Sequence, residues 1–340
     1  MFKFNLQHFA AGENVHTSSG MAANSTGAIT GYDGSGLSAE MKQYYSDYLI
    51  DMAEPKLVHD QFGQKQPIPK GKGKTVEFRK YNPLPKALTP LTEGVTPDGQ
   101  KLDVSTITAE VKQYGGYIEL SDILQLVAID NNLVQATKLL GGQAGRTLDT
   151  ITREVLAGGT NVQYAEGQVE ERGELVGGQE NGNHYLTVDA VRKAVRTLKG
   201  QNAETIDGSY VGIIHPDAAY DLMSDPKWVN VKTYSDPEGI YAGEIGKIEN
   251  VRFVESTEAK IFEGEGANGC DVYSTLIIGE NAYGTTEIKG GGLEHIVKQL
   301  GSAGTADPLN QRATAGWKAT KAAVILVDNY MVRIETAASV

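Results

Sequence analysis

Apolar and polar side chains alternate in one short stretch of this chain, Thr75-Val76-Glu77-Phe78-Arg79-Lys80-Tyr81. A period of two is typical of a half-buried β-strand. A polar tip rich in proline and glycine follows, and residues 102–114 return as a second alternating stretch. Two such strands around a polar tip predict a long β-hairpin, which we call the ribbon.

A two-stranded ribbon is only marginally stable by itself in water, and its edges invite pairing with another chain. We therefore expect the ribbon to rest on another surface. Its apolar side chains have no obvious partner within the chain; they are Val76, Phe78, Val104, Ile107 and Val111.

The first strand of the ribbon lies in the most basic part of an acidic chain. Positions 65–86 hold seven basic residues and one acid, Glu77, whereas the whole chain has a net charge of −12. The basic residues are Lys65, Lys70, Lys72, Lys74, Arg79, Lys80 and Lys86. Such a segment is often a solvated loop, and that interpretation stays open at this point.

A long amphipathic helix is predicted from Leu120 to Ala157, because apolar residues recur there at spacings of three and four. The apolar positions are Leu133, Ala136, Leu140, Ala144, Leu148, Ile151 and Val155. Gly141, Gly142 and Gly145 each cost about 1 kcal/mol relative to alanine inside a helix. Packing must offset that cost, or the glycines mark a bend or the close approach of another backbone.

The N-terminal part is predicted to be an extended arm followed by a helix. Residues 10–37 are mostly Ser, Thr, Asn, Gly and Ala, a composition that cannot support a core. Ser38 is a candidate N-cap for an amphipathic helix with Met41, Tyr45, Tyr48 and Met52 on one face. The first ten residues lack the continuous apolar region of a secretory signal. The longest apolar run, Ala322–Val327, is too short to span a membrane.

The C-terminal half has the pattern of an α/β domain. Helices are predicted at Thr187–Leu198 and Ala218–Met223, with His215 and Pro216 in the turn before the second helix. Strands are predicted at Tyr210–Ile214, Val251–Glu255, Ala259–Phe262 and Thr275–Ile278. A final apolar strand, Ala322–Ile334, is interrupted by the polar step Asp328-Asn329.

No catalytic or cofactor signature is present. A single cysteine, Cys270, excludes an intramolecular disulfide and a cysteine-built metal site, and no two of the six histidines have the spacing of a His-x-x-x-His zinc face. Gly71-Lys72-Gly73-Lys74-Thr75 ends like a phosphate-binding loop, but Ile68 occupies the position of its first glycine. His215 before a proline could be a base at a strand end, although such a residue more often finishes a turn. We expect no enzyme activity, cofactor or metal.

The order of these segments resembles the major capsid proteins of tailed bacteriophages, which have the Hong Kong 97-type fold. The stretch from Leu120 through Asp149–Thr160 is similar to the spine helix of that family and its small-residue exit, here Ala157-Gly158-Gly159-Thr160. Ile213–Leu222 is similar to a strand–proline–helix element of the axial domain, with His215 where asparagine is more common. Gly243–Ser256 is similar to the strand that follows, and Asn5–Ala10 to a common start of such proteins.

The resemblance implies an α+β fold with an N-terminal arm, an extended β-hairpin loop, a long spine helix and a compact axial α/β domain. It implies four parts: the arm and amphipathic helix (1–63), the extended hairpin (64–119), a peripheral domain with the spine helix (120–200 plus 317–340) and an axial domain (201–316). No long charged N-terminal extension is present. We therefore expect a separate scaffolding protein or none, and we see no motif for covalent cross-linking.

The resemblance also implies a structural role. We expect self-assembly into hexamers and pentamers of an icosahedral head that encloses double-stranded DNA, with a portal partner, no membrane, a location in the virion and assembly in the host bacterial cytoplasm. The acidic net charge would keep the shell from gripping the DNA backbone. The alternatives are an encapsulin-type nanocompartment shell and an acidic cytoplasmic hydrolase.

The ribbon is the predicted site of contact between subunits, through Lys70, Lys72, Lys74, Arg79 and Lys80. The resemblance implies that this hairpin lies over an adjacent subunit. Acidic partners are available in the loop Asn161–Gly182 and in the cluster formed by Glu255, Glu258, Glu263 and Glu265.

Overall fold

The computed structural model of the chain separates into two compact units. Unit 1 combines Met1–Lys56, Gln113–Thr147 and Ile288–Thr320, and unit 2 combines Leu57–Lys112, Leu148–Glu287 and Lys321–Val340. The structure describes residues 15–16, 22–23, 29–30, 48–53, 57–68, 74–81, 84–88, 90, 93–94, 96, 99–122, 132–165, 169–178, 183–228, 246–287, 292–302 and 307–339.

The described residues include four helices of six residues or more. They are α1 (residues 48–53), α2 (Asn132–Ala157), α3 (Val188–Gly200) and α4 (Pro216–Ser224). Thr187 caps α3 by accepting the backbone N–H of Ala190, and His215 caps α4 by accepting the N–H of Asp217. The turn interpretation of His215 is therefore confirmed. No helix in the described part of the chain is both long and apolar enough to cross a membrane.

Unit 2 is built on a seven-stranded mixed sheet. Its main path runs β10 (Lys247–Ile248), β11 (Val251–Glu255), β9 (Tyr210–Ile214), β13 (Val272–Ile278), β18 (Met331–Thr336) and β8 (Val162–Tyr164), and β12 (Ile261–Phe262) pairs with β13. Strands β9, β13 and β18 are buried along their whole length. The apolar face of α3 packs in the same core as Tyr210, Ile277 and Ile334.

Unit 2 also holds the ribbon and a small sheet beside it. The ribbon strands are β5 (Thr75–Tyr81) and β6 (Val104–Glu110), and the small sheet has the order β17 (Ala323–Ile325), β14 (Tyr283–Thr286) and β4 (Gln64–Gln66). Strand β4 pairs parallel with β14 and ends at Gln66, a few residues before the ribbon begins at Thr75.

Unit 1 contains a three-stranded sheet in the order β15 (Leu293–Lys298), β16 (Arg312–Lys321) and β7 (Lys112–Ser121), except that the end residues Lys112 and Lys321 belong to unit 2. Trp317 of β16 donates its indole N–H to the Oε1 atom of Gln143 in α2 at 3.0 Å, which ties the sheet to the helix. Three two-residue strands, β1 (Val15–His16), β2 (Ala22–Ala23) and β3 (Ile29–Thr30), pair antiparallel. The rest of the predicted arm lies outside the described residues, as do residues 38–47 of the predicted first helix.

Several predicted elements are confirmed with the same bounds, namely Thr75–Tyr81, Tyr210–Ile214 and Val251–Glu255. The long helix is confirmed over Asn132–Ala157, whereas the prediction that Leu120 belongs to it is wrong: this residue is buried in strand β7, next to its last residue. Residues 123–131 lie outside the described part. The second half of the hairpin is two strands in different sheets, because the chain passes from β6 to β7 at Val111.

The small residues after α2 are needed because Asp328 and Arg333 lie directly against the backbone there. Asp328 accepts the backbone N–H of Thr160 at 3.1 Å, and a Cβ on Gly159 would lie 2.9 Å from the Oδ1 atom of Asp328. Arg333 donates to the carbonyl of Gly159 at 3.1 Å and also to that of Ala157, so its charge lies at the C-terminus of the helix. The polar step in the last apolar stretch is thus a 3-10 turn, Asp328–Tyr330, that separates β17 from β18 and binds the helix exit.

The interior glycines of α2 differ in their surroundings. A Cβ on Gly141 would lie 2.7 Å from the Cβ of Met52 and 2.9 Å from the carbonyl oxygen of Leu49, both in α1, whereas a Cβ on Gly142 would meet no atom within 4 Å. The close approach of another backbone is therefore confirmed at Gly141.

We expect G141A and G142A to change stability in opposite directions. Alanine improves helix propensity by about 1 kcal/mol at either position. At Gly141 the new methyl group must displace α1, at a cost of roughly 1–3 kcal/mol, so the net effect is destabilising. Urea unfolding of the two variants and of the natural protein measures the difference. Equal stabilisation by both substitutions would contradict the packing of α1 against Gly141.

Candidate intersubunit ribbon and its root

The two ribbon strands pair antiparallel over their full length, from Thr75 opposite Glu110 to Tyr81 opposite Val104. The alternation predicted from the sequence holds for β5, where Val76 and Phe78 are buried while Glu77 and Arg79 are exposed. The ribbon therefore has an inner apolar face at its base and an outer polar face.

The base of the ribbon is packed on the ribbon's own unit, which corrects an expectation from the sequence. Val76, Phe78 and Ala109 form a core cluster with Ala322 and Leu326, and Ile107 and Val111 pack at its edge. The Phe78 ring lies directly on strand β14, because a Cβ on Gly284 would be 2.4 Å from it. The partner strands follow the ribbon by about 200 residues, so no local pattern could reveal them.

The outer part of the ribbon is different. Leu88 is 82% exposed and Leu102 is 61% exposed, and Leu84 and Val104 are also exposed. Isolated exposed leucines are common on protein surfaces, but four large apolar side chains in one short excursion indicate a contact surface.

The predicted contact residues are only partly described. Lys70 and Lys72 lie outside the described residues. Lys74 and Arg79 are exposed and Lys80 is half-buried, and none of the three forms an ion pair with another described residue. Arg79 shares the outer face of the ribbon with Glu77, so this face is mixed in charge rather than uniformly basic.

The segment just before the ribbon enters a buried polar cluster, which we call the root cluster. It consists of His59, Asp60, Asp149, Thr152, Tyr283, Thr285 and Lys321, and each of these residues is nearly or completely inaccessible to solvent. The members come from four distant parts of unit 2: the segment before β4, helix α2, strand β14 and Lys321, the last residue of β16.

Asp60 and Lys321 form the centre of the root cluster. The Oδ1 atom of Asp60 accepts hydrogen bonds from the Nζ of Lys321, from the hydroxyl of Thr285 at 2.6 Å and from the hydroxyl of Thr152 at 3.3 Å. Burial lowers the pKa of Lys321, and the nearby Asp60 carboxylate opposes that shift without cancelling it. The pair is therefore held by geometry and extra hydrogen bonds rather than by charge alone.

His59 ties the same segment to α2. Its backbone N–H donates to one oxygen of Asp149 and its Nδ1 lies against the other, both at 2.7 Å. The hydroxyl of Tyr283 donates to the carbonyl of His59, and burial raises the pKa of that hydroxyl well above its usual value. Sequence reasoning missed this cluster; a lysine next to the longest apolar run of the chain was the one available signal.

The structure brings the two predicted acidic segments together in unit 2. The 3-10 turn Arg172–Glu174 lies beside the turn Ala267–Gly269, and Arg172 pairs with both Glu265 and the buried Glu335. The side-chain bond to Glu335, at 2.7 Å, is the main cause of a raised Arg172 pKa. The side chains of Glu170, Glu171, Glu174 and Glu263 are exposed in and next to these turns, and none of them forms an ion pair within the described part of the chain.

In the described residues, no three His, Cys, Asp or Glu side chains are grouped so that they could hold a metal ion. The root cluster has the residue types of an active site, but each of its members is buried.

Solved capsid structures share this fold. The capsid of cyanophage Pam1 matches with a TM-score of 0.60 at 14% identity, over 84% of this chain and 92% of that chain. The capsid of cyanophage P-SCSP1u matches with 0.59 at 14% identity, over 82% and 87%, and the head of Helicobacter pylori bacteriophage KHP40 with 0.59 at 11%, over 85% and 91%. The predicted α+β fold of the Hong Kong 97 type is confirmed.

The family itself is identified from the sequence. No curated protein matches the chain. The model of the phage capsid protein family matches residues 119–299, slightly more than half of the chain. The chain belongs to the phage capsid protein family: it is a structural major capsid protein of tailed phages that self-assembles into a shell and is located in the virion capsid. The encapsulin and hydrolase alternatives are not favoured.

We expect the Asp60–Lys321 pair to show strong coupling in a double-mutant cycle. K321M leaves a buried carboxylate without its counter-charge and should cost about 3–5 kcal/mol, as should D60N for the buried ammonium. The double variant should lose less than the sum of the two, by about 1–3 kcal/mol. Urea unfolding provides the four free energies.

The surface pair Lys260–Glu154, with 2.9 Å between the charged atoms, is the matched control. Because Glu154 is largely exposed, K260M should cost less than about 1 kcal/mol. If K321M were as mild as K260M, the root cluster would not hold the ribbon base in place.

Proposed function

We propose that the ribbon of each subunit lies over an adjacent subunit and that this contact joins the chain into the hexamers and pentamers of an icosahedral head around double-stranded DNA. The observation that carries the proposal is the division of the ribbon: its base is packed on its own unit, while its outer part exposes leucines. In addition, Lys74, Arg79 and Lys80 form no ion pair with another described residue. A ribbon fixed at one end and uncovered at the other is suited to reach another copy.

The contact residues in this proposal are Lys70, Lys72, Lys74, Arg79 and Lys80. Their partner surface is the acidic one around the turns Arg172–Glu174 and Ala267–Gly269, where four glutamates are exposed and form no ion pair with another described residue. Complementary charge across an interface sets register and partner choice.

The remaining parts of the proposal follow from the family. A portal and a separate scaffolding protein would assist assembly in the host bacterial cytoplasm, and the chain would have no enzyme activity. The packaged DNA would be enclosed without sequence-specific binding, because a chain with a net charge of −12 does not attract its phosphates. The four-part division into 1–63, 64–119, 120–200 plus 317–340, and 201–316 stays part of this proposal.

We expect the quadruple variant K70E/K72E/K74E/K80E to fold normally and to fail in assembly. One exposed pair contributes only about 0–1 kcal/mol, so a single substitution should change little. Four reversals replace several weak attractions with repulsions at every copy of the contact. Circular dichroism measures the fold and sedimentation measures the particles.

A charge-matched control separates the ribbon from net charge. The variant K193E/R196E/K199E/K247E makes the same change in charge on exposed side chains of α3 and β10 and should assemble normally. Reversing Glu170, Glu171 and Glu174 to lysine in the ribbon variant should restore particles if these residues are the partners. Normal particles from the ribbon variant at normal yield would overturn the proposed contact.

A further inference from the structure

One face of the sheet β15-β16-β7 carries a depression of about 390 Å³. Its apolar walls are Tyr117 of β7, which is 70% exposed, and Ile296 of β15, which is 39% exposed, and the polar residues Gln113, Thr314 and Lys318 line its rim. Gly316 of β16 pairs directly with Ile296 and lies between the two walls. Among the described residues, nothing covers these side chains.

The depression exists because glycines form its floor. A Cβ on Gly316 would lie 2.9 Å from the Cβ of Tyr117, and a Cβ on Gly115 would lie 2.7 Å from the backbone oxygen of Trp317. Larger residues would not fit between these closely approaching strands, so the centre of the face stays hollow. An apolar hollow on a sheet face suits apolar side chains from an extended segment, which presents every second residue to one side.

The first residues of this chain have that pattern. Phe2, Phe4 and Leu6 alternate with Lys3 and Asn5, and three of the seven phenylalanines of the chain lie within its first nine residues. The Ser-, Asn- and Gly-rich stretch that follows gives these side chains no local core. An alternating apolar segment at the end of such an arm therefore needs a surface elsewhere.

We propose that residues 2–6 dock as an extended segment in this depression, with Phe2, Phe4 and Leu6 against Tyr117 and Ile296. The inference rests on self-assembly of the chain into a shell, but it concerns a surface separate from the ribbon contact. The 41 residues between the segment and α1 span up to about 140 Å when extended. The depression that is occupied can therefore belong to the same copy of the chain or to another copy.

The leucines of the ribbon tip are the competing occupant. Leu84 and Leu88 are exposed, but the residues between them, Pro85-Lys86-Ala87, do not alternate apolar with polar side chains. A sheet face takes an alternating strand better than such a turn-rich segment, so the N-terminal segment is favoured.

Disulfide cross-linking tests the docking directly. With Cys270, the one natural cysteine, replaced by alanine, F4C is combined with Y117C in one chain and with L139C in another. Leu139 is a matched control because it is 69% exposed in α2 of the same unit. Mild oxidation of assembled particles should cross-link the Tyr117 pair about tenfold more than the Leu139 pair. Burial of one aromatic side chain favours the docked position of the segment by about that factor.

The other outcomes decide against the inference. Equal yields for the two pairs would show a freely moving arm, and selective cross-linking of L88C to Y117C would show that the ribbon tip occupies the depression. Electrophoresis without reductant distinguishes a link within one chain from a link between two chains.

A second pair of variants checks the apolar side of the segment. Replacing Phe2, Phe4 and Leu6 with serine should speed proteolytic removal of the arm from particles about tenfold, whereas serine at Lys3, Asn5 and Gln7 should not. Particles are counted by electron microscopy in every case. If particles form without selective cross-linking, only this inference is overturned. If the natural protein forms no particles, the proposed function is overturned. The cross-link would then be measured in free subunits.

Discussion

Lys321 and Asp60 form an ion pair that is almost completely enclosed by protein. Removing two charges from water is expensive, and the cost is met only where further hydrogen bonds surround the pair. Here Thr285 and Thr152 supply them. Because those partners come from β14 and α2, the pair can form only when both elements and the segment before the ribbon are in place together.

Strand β14 is the element on which the ribbon depends. Tyr283 binds the carbonyl of His59, Gly284 leaves room for the Phe78 ring, and Thr285 binds Asp60. The same strand pairs with β4 and β17 through its backbone. One four-residue strand thus fixes the start of the ribbon by polar contacts and its base by apolar packing. The orientation of the ribbon base within unit 2 is therefore set inside the subunit, whereas its outer part exposes the groups available to another copy.

The sequence was sufficient for the elements whose side chains follow a regular period. Strands β5, β9 and β11 were predicted with correct bounds, since each is a short apolar or alternating run. The apolar positions of α2 predicted its helix, and a close approach of another backbone, one of the alternatives for its glycines, is made by α1 at Gly141. The capsid family was also reached from the order of the elements.

The sequence was insufficient where distant segments meet. Phe78 was expected to lack a partner, because Gly284 and Leu326 give no local sign that they receive it. His59 and Asp60 are unremarkable in their own segment, and only the fold brings them together with Lys321 in one cluster. Leu120 was assigned to the helix because an apolar residue between two regular elements fits either period.

Hydrogen exchange of the ribbon in free subunits and in assembled particles tests the division between base and tip most directly. Amides at Val76 and Phe78, in the base, should be protected in both states, because their contacts are within the subunit. Amides at residues 99–104, near the exposed tip, should exchange rapidly in free subunits and become protected in particles. Equally rapid exchange of the tip in both states would contradict the account, because the tip would then make no contact with a neighbouring subunit.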